Sequence, residues 1–153
     1  MSTRKESKTA RAALDSRLGP LGPADKYTAP RSGWVRAIRD ALGMPAAELG
    51  RRIGVSHAAI FELERSEQKG TAGLETLRKA AQALDCTLVY AFLPRQGLEA
   101  TLRAQAEEMA NEELHRVGQS MALEDQATPV GLDLREEIIQ QLIDSRGLWS
   151  RRG

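Results

Sequence analysis

Aromatic side chains are scarce in this sequence. Two Trp, two Tyr and two Phe make up 4% of 153 residues, so the core has to come from Leu, Ile, Val and Ala, as it does in packed helices. A single cysteine, Cys86, excludes an internal disulfide framework and any multi-cysteine metal site. The only two histidines, His57 and His115, have no second ligand at metal-binding spacing, so no metal site is expected. No stretch approaches the roughly 20 apolar residues of a membrane span, and Met1 to Ala10 is polar and charged, without the apolar run of a signal peptide. Both absences favour a cytoplasmic protein. There is no phosphate loop and no cysteine paired with a histidine as a nucleophile, so the expectation is a non-enzyme with no catalytic residues and no cofactor.

What is present is helical and charged. Hydrophobic residues account for 41% and charged residues for 28%, the balance of a globular chain with one domain plus appendages. The net charge of +1 hides an asymmetry. Residues 1–31 carry seven Lys/Arg and three Asp/Glu, whereas residues 94–153 carry seven Lys/Arg and eleven Asp/Glu. A basic front and an acidic back suit contact with nucleic acid at one end and another partner at the other. Solvated helix faces produce the same pattern.

Four segments follow from composition and periodicity. Residues 1–31 read as a basic arm, a short helix ending near Gly19 followed by a Pro/Gly linker. Residues 32–85 show four short helices: Trp34, Ile38 and Leu42 form the first stripe, Leu49 and Ile53 the second, Ile60 and Leu63 the third, and Leu74, Leu77, Ala81 and Leu84 the fourth. Residues 86–94 hold the apolar run Thr87–Leu93 closed by Pro94, which has strand length. Pairing of this strand with its counterpart in a second subunit would make a homodimer. Residues 95–153 read as an acidic helical region, a possible partner-binding half. Its long helix over 97–122 carries Leu98, Leu102, Ala106, Ala110, Leu114, Val117 and Met121; a last helix is expected to start at Asp133, capped with Glu136.

The segment Met44–Glu64, MPAAELGRRIGVSHAAIFELE, carries the functional signal. Two short helices crossing steeply need a small residue at the crossing, which Gly50 supplies. Gly54, Val55 and Ser56 then provide a reversal, a buried anchor and a helix cap. Ile60 and Leu63 turn inward and leave His57, Ala58, Phe61, Glu62 and Arg65 facing out, as a recognition helix in a major groove would present them. Such a pair of helices also occurs as a packing module alone.

Over about residues 34–84 the chain resembles the Xre family of helix-turn-helix proteins, on Leu49-Gly50, Gly54-Val55-Ser56, Ile60 and Leu63-Glu64. It is similar, over roughly residues 10–145, to the bacterial group called mobile mystery protein A, on Gly33–Arg39, Ala83–Ala91 and Met121–Gln126. The fold implied is mainly α, a lambda-repressor-like helix-turn-helix bundle with one short β-strand and C-terminal helices. The function implied is a DNA-binding transcriptional regulator, autoregulatory and antitoxin-like, paired with a Fic-domain protein.

Departures from the family shape the site. Positions where relatives carry Gln or Ser hold Ala46, Ala47, Ala58 and Ala59, and alanine offers a thymine methyl contact but no hydrogen bond. His57 and Arg65 remain as polar base-reading candidates, His57 also being open to a plain surface role, with Ser56 as a backbone contact. Arg36, Arg39, Arg51, Arg52 and Lys69 are candidate phosphate partners. Glu62 suits a cytosine amino group and repels phosphate. Glu64 reads as a structural ion-pair partner, Trp34 and Cys86 as core, His115 as surface; Trp149 either docks on the protein or anchors a partner. Fic proteins are often restrained by a helix bearing Ser or Thr, three variable residues, Glu, then Gly or Asn. Ser120 and Glu124 match its first part, but Asp125 fails the last position, and Ser2/Glu6 and Thr71/Glu75 match equally well. Two functions stay open: a dimeric operator-binding regulator, and an interaction protein that neutralises a partner enzyme while its helix-turn-helix is degenerate.

Overall fold

A computed structural model describes residues 3–117, 129–145 and 147–150. The chain divides into two units, Ala24–Phe92 and the combination of Met1–Pro23 with Leu93–Gly153.

The first of these units is a bundle of four helices: α2 (Trp34–Ala41), α3 (Ala46–Ile53), α4 (His57–Gln68) and α5 (Leu74–Ala83). Its core gathers Val35, Ala46, Leu49, Ile60, Leu63, Ala80 and Leu84, one or two residues from each helix, so that short segments that are marginal alone share one interior. On α2 the buried stripe is Val35 and Arg39, while Trp34 is 47% exposed and Leu42 58% exposed. Of the expected Trp34–Ile38–Leu42 stripe only Ile38, half-buried, packs against the core, and the buried face is shifted toward Val35 and Arg39. Arg39 explains the rotation. Its guanidinium lies in the core, paired to Glu64 with Nε–Oε1 at 2.6 Å and Nη1 donating to the Met44 carbonyl at 2.9 Å, so a charged residue occupies a place that apolar periodicity assigns to none.

The second unit contains α1 (Arg4–Leu18), α6 (Leu98–Val117) and α7 (Pro129–Asp144). Its core comprises Leu102, Ala106, Ala110, Ile139 and Leu148, and three of these lie on the stripe read from the sequence of α6. Asp15 on α1 caps α6: its carboxylate accepts from the Leu98 and Glu99 N–H groups at 2.7 and 3.1 Å, and Arg11 pairs with Glu99 at 2.7 Å. The α7 helix begins at Pro129, a first-turn residue whose missing N–H costs nothing there. Asp133 therefore lies inside α7 and not at its cap, and Glu136 reaches across to Arg103, 2.7 Å away.

The expected β-strand does not form. Residues 86–94 have no regular secondary structure, and no strand occurs among the described residues. A lone strand leaves its backbone donors and acceptors without a ladder, and the described remainder of the chain is committed to helices and turns. Val89, Tyr90 and Phe92 are 82%, 65% and 89% exposed; alternation of apolar residues here marks neither a sheet nor a core.

Candidate nucleic-acid interface

The turn between α3 and α4 is built by close approach. Gly50 on α3 lies so near the turn that a Cβ placed on it would come 2.5 Å from the Val55 carbonyl oxygen. The Gly50 carbonyl in turn accepts from both the Gly54 and Val55 N–H groups at 2.8 Å. Gly54 reverses the chain at φ +87°, a conformation that costs a side-chain-bearing residue free energy. Ser56 then caps α4, its Oγ accepting from the Ala59 N–H at 3.1 Å.

This turn fixes which way α4 faces. Ile60 is fully buried and Leu63 nearly so, while His57, Ala58, Phe61, Glu62 and Arg65 are all exposed and fall on one face by helical spacing. The exposure of these five side chains is as expected from the sequence, but their contacts with one another are not. Arg65 pairs with Glu62 at 2.9 Å. His57 and Phe61 meet edge to face, ring centroids 6.2 Å apart at 84°.

The flanking cations are also engaged. Glu48, overlooked in the sequence, takes both Arg51 (2.8 and 2.9 Å) and Arg52 (2.9 Å). Hydrogen bonds from Arg51 first and Arg52 second hold its carboxyl down to about 2. The same contact raises the Arg51 pKa above its ordinary value. Arg52 also donates to the Ala83 carbonyl at 3.2 Å. Arg36 sits 3.5 Å from Asp40. Arg39, a candidate phosphate partner by sequence, is buried, and the hydrogen bond to Glu64 raises its pKa further. It supports the bundle, with only Nη1 nearing the surface 3.2 Å from the exposed Asp40, and Glu64 has the structural role expected of it. Lys69, at the C-cap of α4, is exposed.

Residues 35–90 match the protein family described as Helix-turn-helix. They form an Xre-type helix-turn-helix domain. No curated protein and no solved structure matches the chain. The match begins at the second residue of α2, takes in α3, α4 and α5, and extends past Cys86, a half-buried thiol packed against the core, 3.4 Å from the Leu84 carbonyl.

In the other unit, α6, α7 and the turn that follows line a cleft of about 550 Å³ whose walls include Glu108, Met109, Glu112, Glu113, Leu142 and Trp149. Trp149 is 64% exposed there, and His115 is exposed on α6. Among the described residues no group of three His, Cys, Asp or Glu side chains could hold a metal ion, and no helix is long and apolar enough to cross a membrane. Ser120 and Glu124 lie outside the described residues.

Proposed function

We propose that this protein is a DNA-binding transcriptional regulator that lays α4 in the major groove of double-stranded operator DNA. The observation that carries this reading is the clamping of α4 from behind by Ile60 and Leu63, with five exposed side chains on its front, inside a helix-turn-helix domain. That is the posture in which such a helix meets base edges. His57, Ala58, Phe61, Glu62 and Arg65 face the bases; Ser56, Arg51, Arg52 and Lys69 lie toward the backbone. The test is a gel shift with the DNA upstream of the protein's own reading frame. Binding should weaken steeply with salt as counterions are released, and Arg65→Ala should reduce discrimination between that DNA and a scrambled duplex. Equal affinity for both duplexes in the unaltered protein would refute operator recognition.

The finer reading is an autoregulatory, antitoxin-like component that acts as a homodimer and is paired with a Fic-domain protein, as the similarity to mobile mystery protein A implies. The acidic α6–α7 cleft with Trp149 supports a partner-binding role for the second unit. Co-expression with a Fic-domain protein encoded in the adjacent reading frame tests it: the full chain should co-purify with that protein and relieve its toxicity. The alternative, an inhibitor whose helix-turn-helix no longer binds DNA, is favoured by the self-pairing of Glu62 with Arg65 and of Glu48 with Arg51 and Arg52. It predicts neutralisation without any gel shift.

A further inference from the structure

The front of α4 holds few free polar groups. Glu62 and Arg65 satisfy each other at 2.9 Å. Ala58 and Phe61 have no polar side-chain atom, yet both are exposed, Phe61 by 48%. The His57 and Phe61 rings meet at 84° with centroids 6.2 Å apart, and Phe61 stays half exposed beside that contact. The centre of this face is therefore an apolar spot about one helical turn long. Each base pair shows the major groove a set of hydrogen-bonding atoms and, only at thymine, a C5 methyl group. An apolar spot has no complement among the hydrogen-bonding atoms. It has one in the methyl.

We propose that Phe61, with Ala58 and His57 beside it, reads pyrimidine C5 methyl groups, and that this contact sets the base preference of the domain. The inference rests on the DNA-binding reading above. Methyl contact is separable from charge: a phenyl ring buried against a methyl excludes water whatever the salt concentration, whereas phosphate contacts weaken as salt rises. The same chemistry treats 5-methylcytosine as it treats thymine.

The test uses the full chain and four duplexes of equal length: alternating d(A–T), alternating d(A–U), alternating d(G–C), and alternating d(G–C) carrying 5-methylcytosine. Within each pair only the methyl group differs. Fluorescence anisotropy should give tighter binding to the methylated member of each pair, by about fourfold per contacted methyl. Phe61→Ser should close both gaps while leaving salt-dependent binding in place, and Phe61→Leu, which keeps an apolar contact, should retain them. Because Phe61 is surface-exposed, both variants should keep the helical circular dichroism of the parent. Equal affinities within each pair, or gaps that persist in Phe61→Ser, would overturn the methyl reading and leave DNA binding standing. Absence of salt-dependent binding to all four duplexes and to the upstream DNA would overturn both.

Discussion

The carboxylate of Glu67 lies against Gly33, so close that a Cβ on that glycine would sit 2.8 Å from Oε2. From there Glu67 accepts hydrogen bonds from the Trp34 and Val35 N–H groups at 2.7 and 3.0 Å. It caps α2 from the far end of α4, where the positive pole of the helix favours an anion. The link is tertiary: it ties the first helix of the domain to the helix that carries the recognition face.

Loss of this cap should be felt as global instability of the helix-turn-helix unit. Glu67→Ala should cost about 0.5–2 kcal/mol, the range for removing a side-chain N-cap. Gly33→Ala should cost at least about 1 kcal/mol, because φ is +81° there and alanine is strained at positive φ. The two tryptophans lie in different units, so urea denaturation followed by Trp34 fluorescence in a Trp149→Phe background isolates this effect. An unchanged midpoint for Glu67→Ala would show that solvent caps α2 equally well.

Distance along the chain explains which features were legible in the sequence. The Ser56 cap, the Gly54 reversal, Gly50 at the crossing and the inward pair Ile60 and Leu63 act within one turn or two, and periodicity shows them. Glu67 reaches 33 residues back to Trp34, and Asp15 reaches 83 residues forward to Leu98; nothing local announces either cap. The rotated face of α2 stayed hidden because the buried residue is Arg39, not an aliphatic. The run Thr87–Leu93 looked like a strand because alternation is a property of one segment, while a strand is a property of two. At the site, the exposure of the five front residues is legible from helical spacing, and the pairs Glu62 with Arg65 and Glu48 with Arg51 and Arg52 stand at the three- or four-residue spacing that brings helix side chains together, but spacing alone does not say that these side chains choose one another over solvent.

Gly50 should not tolerate even a methyl group. The obstacle is the backbone carbonyl of Val55 at 2.5 Å, which cannot swing aside as a side chain would. Gly50→Ala should therefore push α3 away from the turn and destabilise the unit by about 1–3 kcal/mol, the usual cost of overpacking. Thermal unfolding by circular dichroism checks this. A variant of unchanged stability would mean that the turn opens more easily than its hydrogen bonds suggest.

Arg39 and Glu64 form a buried pair, and breaking it by half should be worse than removing it whole. Arg39→Met or Glu64→Leu alone leaves a charge without its partner in the core, at a cost of about 3–5 kcal/mol. The double replacement Arg39→Met with Glu64→Leu should recover most of that loss, since two apolar side chains of similar volume need no desolvation of charge. Urea midpoints of the single and double variants give the coupling. Purely additive losses would show that the two residues act separately.

Acid should weaken both units over the same window. Glu48 is held down to about 2 by Arg51 and then Arg52, and Glu136 to about 2 by Arg103 and then Gln140, against an ordinary value of 4.5. Between these limits the unfolded chain binds more protons than the folded one, so the contribution is complete above 4.5 and is lost as pH falls toward 2. Both carboxylates face solvent, and the effect should be modest and sensitive to salt. Urea midpoints read at pH 6 and pH 3 should fall less in Glu48→Gln than in the parent when Trp34 reports. Equal falls would remove Glu48 from the acid response.

Glu48 should also restrain the affinity of the domain for DNA. While its carboxylate holds the guanidinium groups of Arg51 and Arg52, a phosphate must compete for them with a charge already in place. Glu48→Gln keeps the shape of the side chain and removes that competitor. Each arginine released to a phosphate displaces one condensed counterion and steepens the plot of log affinity against log salt by about 0.9. The variant should thus bind any duplex more tightly at low salt, with a slope steeper by about one to two such increments, and with base preference unchanged because neither arginine is on the front of α4. Titrations at four salt concentrations on matched and scrambled duplexes measure both quantities. A slope identical to that of the parent would place Arg51 and Arg52 away from the phosphate backbone.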